Sequence, residues 1–162
     1  MNQKLKVLLL WLSISLCGCV GCRHTLFDTI ARSTRIDPRN AYSLFAGVRE
    51  PRAVPREVTD LQANGAAWMD MNVLCRFRAP TKIIDSIVAN GYQRTNWETV
   101  ATAMHFPDFT NSFVPSWNPD ALHAKECYIQ RVERDHGTDM LYLALDRQEG
   151  IVYAVGQGDA HD

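Results

Sequence analysis

The 162-residue chain contains no nucleophile elbow, no phosphate-cradling glycine loop, no HExxH helix and no paired CxxC motif. The spacings that mark serine hydrolases, nucleotide-binding enzymes, zincins and zinc ribbons are therefore missing. There is no internal repeat and no low-complexity run, which sets aside solenoids and disordered polar tracts. A membrane-spanning helix needs roughly 20 consecutive apolar residues, and the run that starts at Val7 is interrupted after Leu16 by Cys17 and Gly18. Cysteine is scarce outside one place. Of five cysteines, Cys17, Cys19 and Cys22 crowd into a single short stretch, and only Cys75 and Cys127 lie beyond it.

That stretch organises the rest of the chain. Lys4 and Lys6 form a basic head, Val7 to Leu16 a greasy segment, and Leu16-Cys17-Gly18-Cys19-Val20-Gly21-Cys22 a run of small residues and cysteines. This is the layout of an export signal with a lipid-attachment site. It resembles bacterial lipoprotein signal peptides, in which a Leu, a small or aliphatic residue and a Gly or Ala precede the modified Cys. Leu16 and Gly18 fit the register ending at Cys19, and Val20 and Gly21 fit the register ending at Cys22. The resemblance implies removal of residues 1–18 (to 21 in the second register) and a lipid anchor, including an acyl chain such as palmitate, on Cys19 or alternatively Cys22. It covers only these first residues and implies nothing about activity. Val20 or Arg23, rather than Asp, follows the modified Cys. By the same resemblance this implies the outer membrane, facing the periplasm, in a cell with two membranes. An uncleaved membrane anchor and ordinary signal-peptidase cleavage are the alternatives.

Charge divides the remainder. Residues 23–56 carry seven arginines against Asp28, Asp37 and Glu50, a net of +4, whereas residues 57–162 carry eight basic and fifteen acidic side chains, a net of −7. A basic segment beside a lipid anchor suits anionic headgroups, and an acidic domain argues against nucleic acid as a partner. Pro38, Pro51 and Pro55 break long helices. Residues 19–56 are therefore expected to form a basic tether, with a short helical stretch at Asn40–Phe45 capped by Asn40, and residues 57–162 a single α+β domain.

Within the domain, Trp68–Arg78 alternates Met69, Met71, Val73, Cys75 and Phe77 with mostly polar residues, the period of a strand with Cys75 turned to the core. Pro80 and Thr81 open a helix with Ile83, Ile84, Ile87 and Val88 as its apolar stripe, closed at Asn90-Gly91. Asn96 caps a second helix through Met104, and Asn118-Pro119-Asp120 starts a helical turn to Ala124. Strand-like runs at Glu126–Glu133, Met140–Asp146 and Ile151–Val155 form a meander, with a frayed tail after Val155. The expected fold is an antiparallel sheet of about four strands with helices packed on one face.

Between His105 and Pro119 periodicity is lost, and Phe106, Phe109, Phe113 and Trp117 crowd into a loop. Such a segment either closes over the core as a lid, the preferred reading, or forms a binding patch for a peptide, glycan or partner protein. Cys75 and Cys127 are candidates for a disulfide by parity in an oxidising compartment, with two buried reduced thiols as the alternative. His123, Glu126 and Cys127, and Asp135, His136 and Asp139, are weak constellations for metal or catalysis, and His105 with Asp108 is a third. No catalytic residue, metal or cofactor is assigned. The expectation is a noncatalytic envelope lipoprotein whose domain binds an envelope protein or cell-wall component. A small extracytoplasmic hydrolase using loop histidines and carboxylates is the alternative.

Overall fold

A computed structural model of the chain describes residues 36–48, 54–67, 71–105, 117–134 and 137–160. Strand β1 (Thr59–Ala67) precedes β2 (Met71–Arg78), and helix α1 (Pro38–Ala46) precedes both. After them come α2 (Thr81–Val88), β3 (Gln93–Thr95), α3 (Trp97–Met104), a 3-10 turn at Pro119–Ala121, and the meander β4 (Glu126–Arg134), β5 (Gly137–Asp146) and β6 (Ile151–Ala160). The class is α+β, and the sheet has six antiparallel strands in the order β1-β2-β6-β5-β4-β3. The expected four strands fall short because β1 and β3 do not advertise themselves. β1 is a polar edge strand, Thr-Asp-Leu-Gln-Ala-Asn-Gly-Ala-Ala, and β3 is three residues long.

The expected helices on one face become helices on both, because the central strands are apolar on both faces. On one face Val73, Cys75 and Phe77 of β2 line up with Leu141, Leu143 and Leu145 of β5 and with Val152 and Ala154 of β6, beneath α1 and α2. On the other, Leu74, Ala144, Tyr153, Val155 and Cys127 pack against Val100, Ala103 and Met104 of α3 and against Leu122. Strands buried on both sides need a cover on each.

The domain starts earlier than the expected boundary near Glu57. Pro38, read as a helix breaker, is the first residue of α1, where a missing N–H costs nothing. Asp37, not Asn40, caps the helix, its carboxylate accepting from the Arg39 N–H at 2.8 Å. Ala41, Tyr42, Phe45 and Ala46 are buried in the core, and the Tyr92 hydroxyl donates to the Phe45 carbonyl at 3.1 Å. Part of the supposed tether is core. The frayed tail is likewise corrected, since β6 runs on to Ala160, paired with Gly137 of β5.

Turns follow the sequence more closely. Gly91 and Gly150 both have positive φ. At Gly150 a Cβ would meet the Ala79 carbonyl oxygen at 2.7 Å, while the Ala79 N–H donates to the Gly150 carbonyl at 2.9 Å. Asp146, 1 % exposed, closes this end of the sheet. One carboxylate oxygen accepts from the N–H groups of Gln148 and Glu149, and the other from that of Ala124, so the β5–β6 turn and the approach to β4 share one anchor.

Candidate functional site

The site is built at the C-terminal end of α3. Asn96 starts that helix, its side chain accepting from both the N–H and the hydroxyl of Thr99. The helix ends at His105, whose N–H still bonds to the Ala101 carbonyl. Beyond an interval of eleven residues outside the described set, the chain returns at Trp117. Its indole N–H donates to the Met104 carbonyl at 3.0 Å, and its ring stands edge-on to Tyr153 with centroids 5.1 Å apart. Trp117 is thus half-buried against the second core cluster, as the lid reading expects of that residue.

His105 meets a carboxylate fifteen residues further along the sequence. Its Nε2 lies 2.7 Å from a carboxylate oxygen of Asp120, on the 3-10 turn. Lys125 approaches the other oxygen at 3.7 Å and sits 4.2 Å above the Trp97 ring, itself edge-on to His105 at 5.7 Å. The hydrogen bond from His105, and after it the positive charges of His105 and Lys125, hold the Asp120 carboxyl below its ordinary value. His105 and Asp120 are both about half exposed, so water competes for the pair and its strength is modest. An imidazole oriented by a carboxylate can shuttle a proton, and Trp97 with Lys125 offers an aromatic and cationic rim. Asp120 was legible only as the acidic first turn of a helix. That turn is shorter than expected, ending at Ala121, with Asn118 contributing its carbonyl rather than its side chain.

The other sequence candidates do not converge. Cys19 and Cys22 of the lipidation motif, Phe106, Phe109 and Phe113 of the aromatic loop, and Asp108, Asp135 and His136 lie outside the described residues. His123 is exposed, 3.8 Å from Glu149. Glu126 instead engages Arg147 at 2.9 Å and Tyr128 at 2.7 Å, while Cys127 turns into the second core cluster. Among the described residues no three of His, Cys, Asp and Glu come together as a metal site would require, and no helix is long and apolar enough to cross a membrane.

The candidate disulfide does not form. Cys75 and Cys127 are both free and buried. Register explains why: Cys75 lies in line with Ala154, Leu143 and then Tyr128, so Cys127 is one residue out of step and on the opposite face. Three strand spacings also separate the two strands, about 14 Å, against the 4.4–6.8 Å Cα separation a disulfide requires. Burial in the apolar core pushes the Cys75 thiol far up from its ordinary value, so it is not a nucleophile.

One further polar pair went unanticipated. Asp60, at positive φ in the bulge where the β1–β2 register shifts, reaches Arg76, which is 6 % exposed and lies over the Tyr153 ring. Arg76 is covered because that face of the sheet is covered.

No family model matches the chain, and neither a curated protein nor a solved structure matches it.

Proposed function

We propose that this is a lipid-anchored protein of the cell envelope whose domain binds a partner rather than transforming a substrate. The lysine head, the greasy segment and the lipobox-like cysteines support the anchor, on Cys19 or alternatively Cys22. By resemblance, its place is the periplasmic side of an outer membrane where the cell has two membranes.

The observation that carries the binding reading is the partly exposed rim at the end of α3, where Lys125 lies over Trp97 and Trp97 stands edge-on to the His105 of the His105–Asp120 pair. Beside that rim Trp117, bonded to Met104 and edge-on to Tyr153, and His105, held by Asp120, are both fixed on the fold. Phe106, Phe109 and Phe113 fall between these two fixed points in the sequence. An aromatic and cationic rim on a fixed scaffold suits a protein or cell-wall ligand, because its own groups need little ordering on binding. Metabolic labelling with a fatty acid, followed by mass spectrometry of the mature N-terminus in the wild type and in Cys19→Ser and Cys22→Ser, tests the anchor. An unlipidated protein with another N-terminus rejects it.

The 2.7 Å approach of His105 to Asp120 favours one competing reading, a small hydrolase with His105 as base. Turnover of an ester or peptide substrate that disappears in His105→Gln, with no partner captured by the wild type, would replace the binding reading with that one.

A further inference from the structure

We propose that the layer made by α1 and α2 is the surface this protein lays against an anionic lipid bilayer, which turns the opposite face, with Trp97, His105 and Trp117, outward. The inference rests on the lipid-anchor reading and adds an orientation to it.

Where the chain enters the domain is the first argument. Ile36 leads into α1 and packs on the core cluster beneath the helices. A chain coming from Cys19 or Cys22 therefore joins the domain at this layer, after seventeen or fourteen residues. Fully extended, these reach at most about 60 or 50 Å.

The second argument is the disposition of unpaired charge. Arg39 on α1, Arg56 beside β1 and Lys82 on α2 are exposed and form no ion pair among the described residues, and the same holds for Arg78 on β2 and Arg94 on β3. Arg76, Lys125, Arg131, Arg134 and Arg147 are each paired with a carboxylate. Of the acidic groups nearby, Asp37 is turned to the α1 N-terminus, Asp85 to Arg147, and Glu57 alone reaches the groove described next. Residues 57–162 carry a net −7, so an anionic surface repels most of the domain and admits it best where free cations gather, and three of these five lie on or beside the α1 and α2 layer.

A groove completes the surface. Between α1, α2 and residues 54–57 lies a depression of about 390 Å³, lined by Tyr42, Val48, Pro55, Lys82, Ile83 and Ser86. Val48, 36 % exposed, is a large hydrophobic side chain left on the surface there. The Lys82 ammonium on its lining, with Arg56 next in sequence to Pro55 and Glu57, and the apolar side chains beside it match a headgroup phosphate and the glycerol and upper acyl region beneath it.

The test uses the full lipidated chain in vesicles of phosphatidylcholine, with or without phosphatidylglycerol, read by hydrogen exchange. Phosphatidylglycerol should slow exchange in residues 42–48 and 82–90 by up to roughly thirtyfold, as two near-surface cations predict. Residues 97–105 and 117–128 should stay unchanged. High salt or the exposed double variant Arg56→Glu/Lys82→Glu should abolish the protection. An anchored protein that shows no such difference, or is protected at residues 97–105, overturns the orientation. Protection by inorganic phosphate alone overturns it too, showing an anion site instead of a bilayer face. A mature N-terminus without lipid removes the anchor reading itself and is seen separately, by mass.

Discussion

The Trp117 indole N–H donates to the Met104 carbonyl at 3.0 Å, across thirteen residues of sequence. The acceptor belongs to the last turn of α3, where helix carbonyls lack an intrahelical partner. One side chain therefore completes the helix end and, through its contact with Tyr153, closes the second core.

Trp117→Ala is expected to lower stability by about 2–3 kcal/mol, less than the 3–5 of a fully buried tryptophan because the ring is half-covered. Trp117→Phe, which keeps most of the ring and loses the donor, should lower it by about 1 kcal/mol. Urea denaturation of the two variants measures both. A Trp117→Ala protein as stable as wild type would mean that the ring's contacts serve a ligand and not the fold.

Both domain thiols should be alkylated after denaturation without reductant, and neither in the folded protein. Free, buried cysteines on opposite faces of the sheet require this. Cys75→Ser, which puts a hydroxyl among Val73, Phe77 and Ala154, should destabilise by about 1–3 kcal/mol. Recovery of a peptide pair bridged through Cys75 and Cys127 would contradict the sheet register.

Asp146 makes stability depend on acid. Backbone N–H groups, that of Ala124 foremost, hold its carboxyl below the ordinary aspartate value. A folded-state value below the unfolded one gives stabilisation that is complete above the unfolded value, about 4. It is lost as pH falls through the folded one. Asp146→Asn should flatten the stability profile below about pH 4 and lower stability at neutral pH by about 2 kcal/mol. An unchanged acid limb in Asp146→Asn would assign that loss to other carboxylates, with Glu126 and Asp120, also lowered, the next to substitute.

Removal of residues before Glu57 should leave a chain that does not fold. α1 covers the sheet with Ala41, Tyr42 and Phe45, the last 1 % exposed. Phe45→Ala in the full chain should cost about 3–5 kcal/mol. Cooperative thermal unfolding of residues 57–162 at the wild-type temperature would return α1 to the tether.

What the sequence determined by itself was local. Alternation in Val73–Phe77 and in the leucines of β5, the Ile stripe of α2, the Asn96 cap and the glycines at positions 91 and 150 each write their consequence within a few residues, so element type and most turns were legible. The motif proposed as an export signal is legible for the same reason, as a linear pattern. Tertiary structure alone decided what depends on pairing across the chain. A residue's face is fixed by its strand, but which strand lies beside it is not, so nothing near Cys75 or Cys127 announces that two strands separate them on opposite sides of the sheet. β1 carries almost no hydrophobic signal because its place at the sheet edge is settled by hydrogen bonds to β2, which any sequence can make. His105 met Asp120 because the 3-10 turn comes back against α3, and the folding of α1 into the core was settled by apolar area on the sheet that needed a cover.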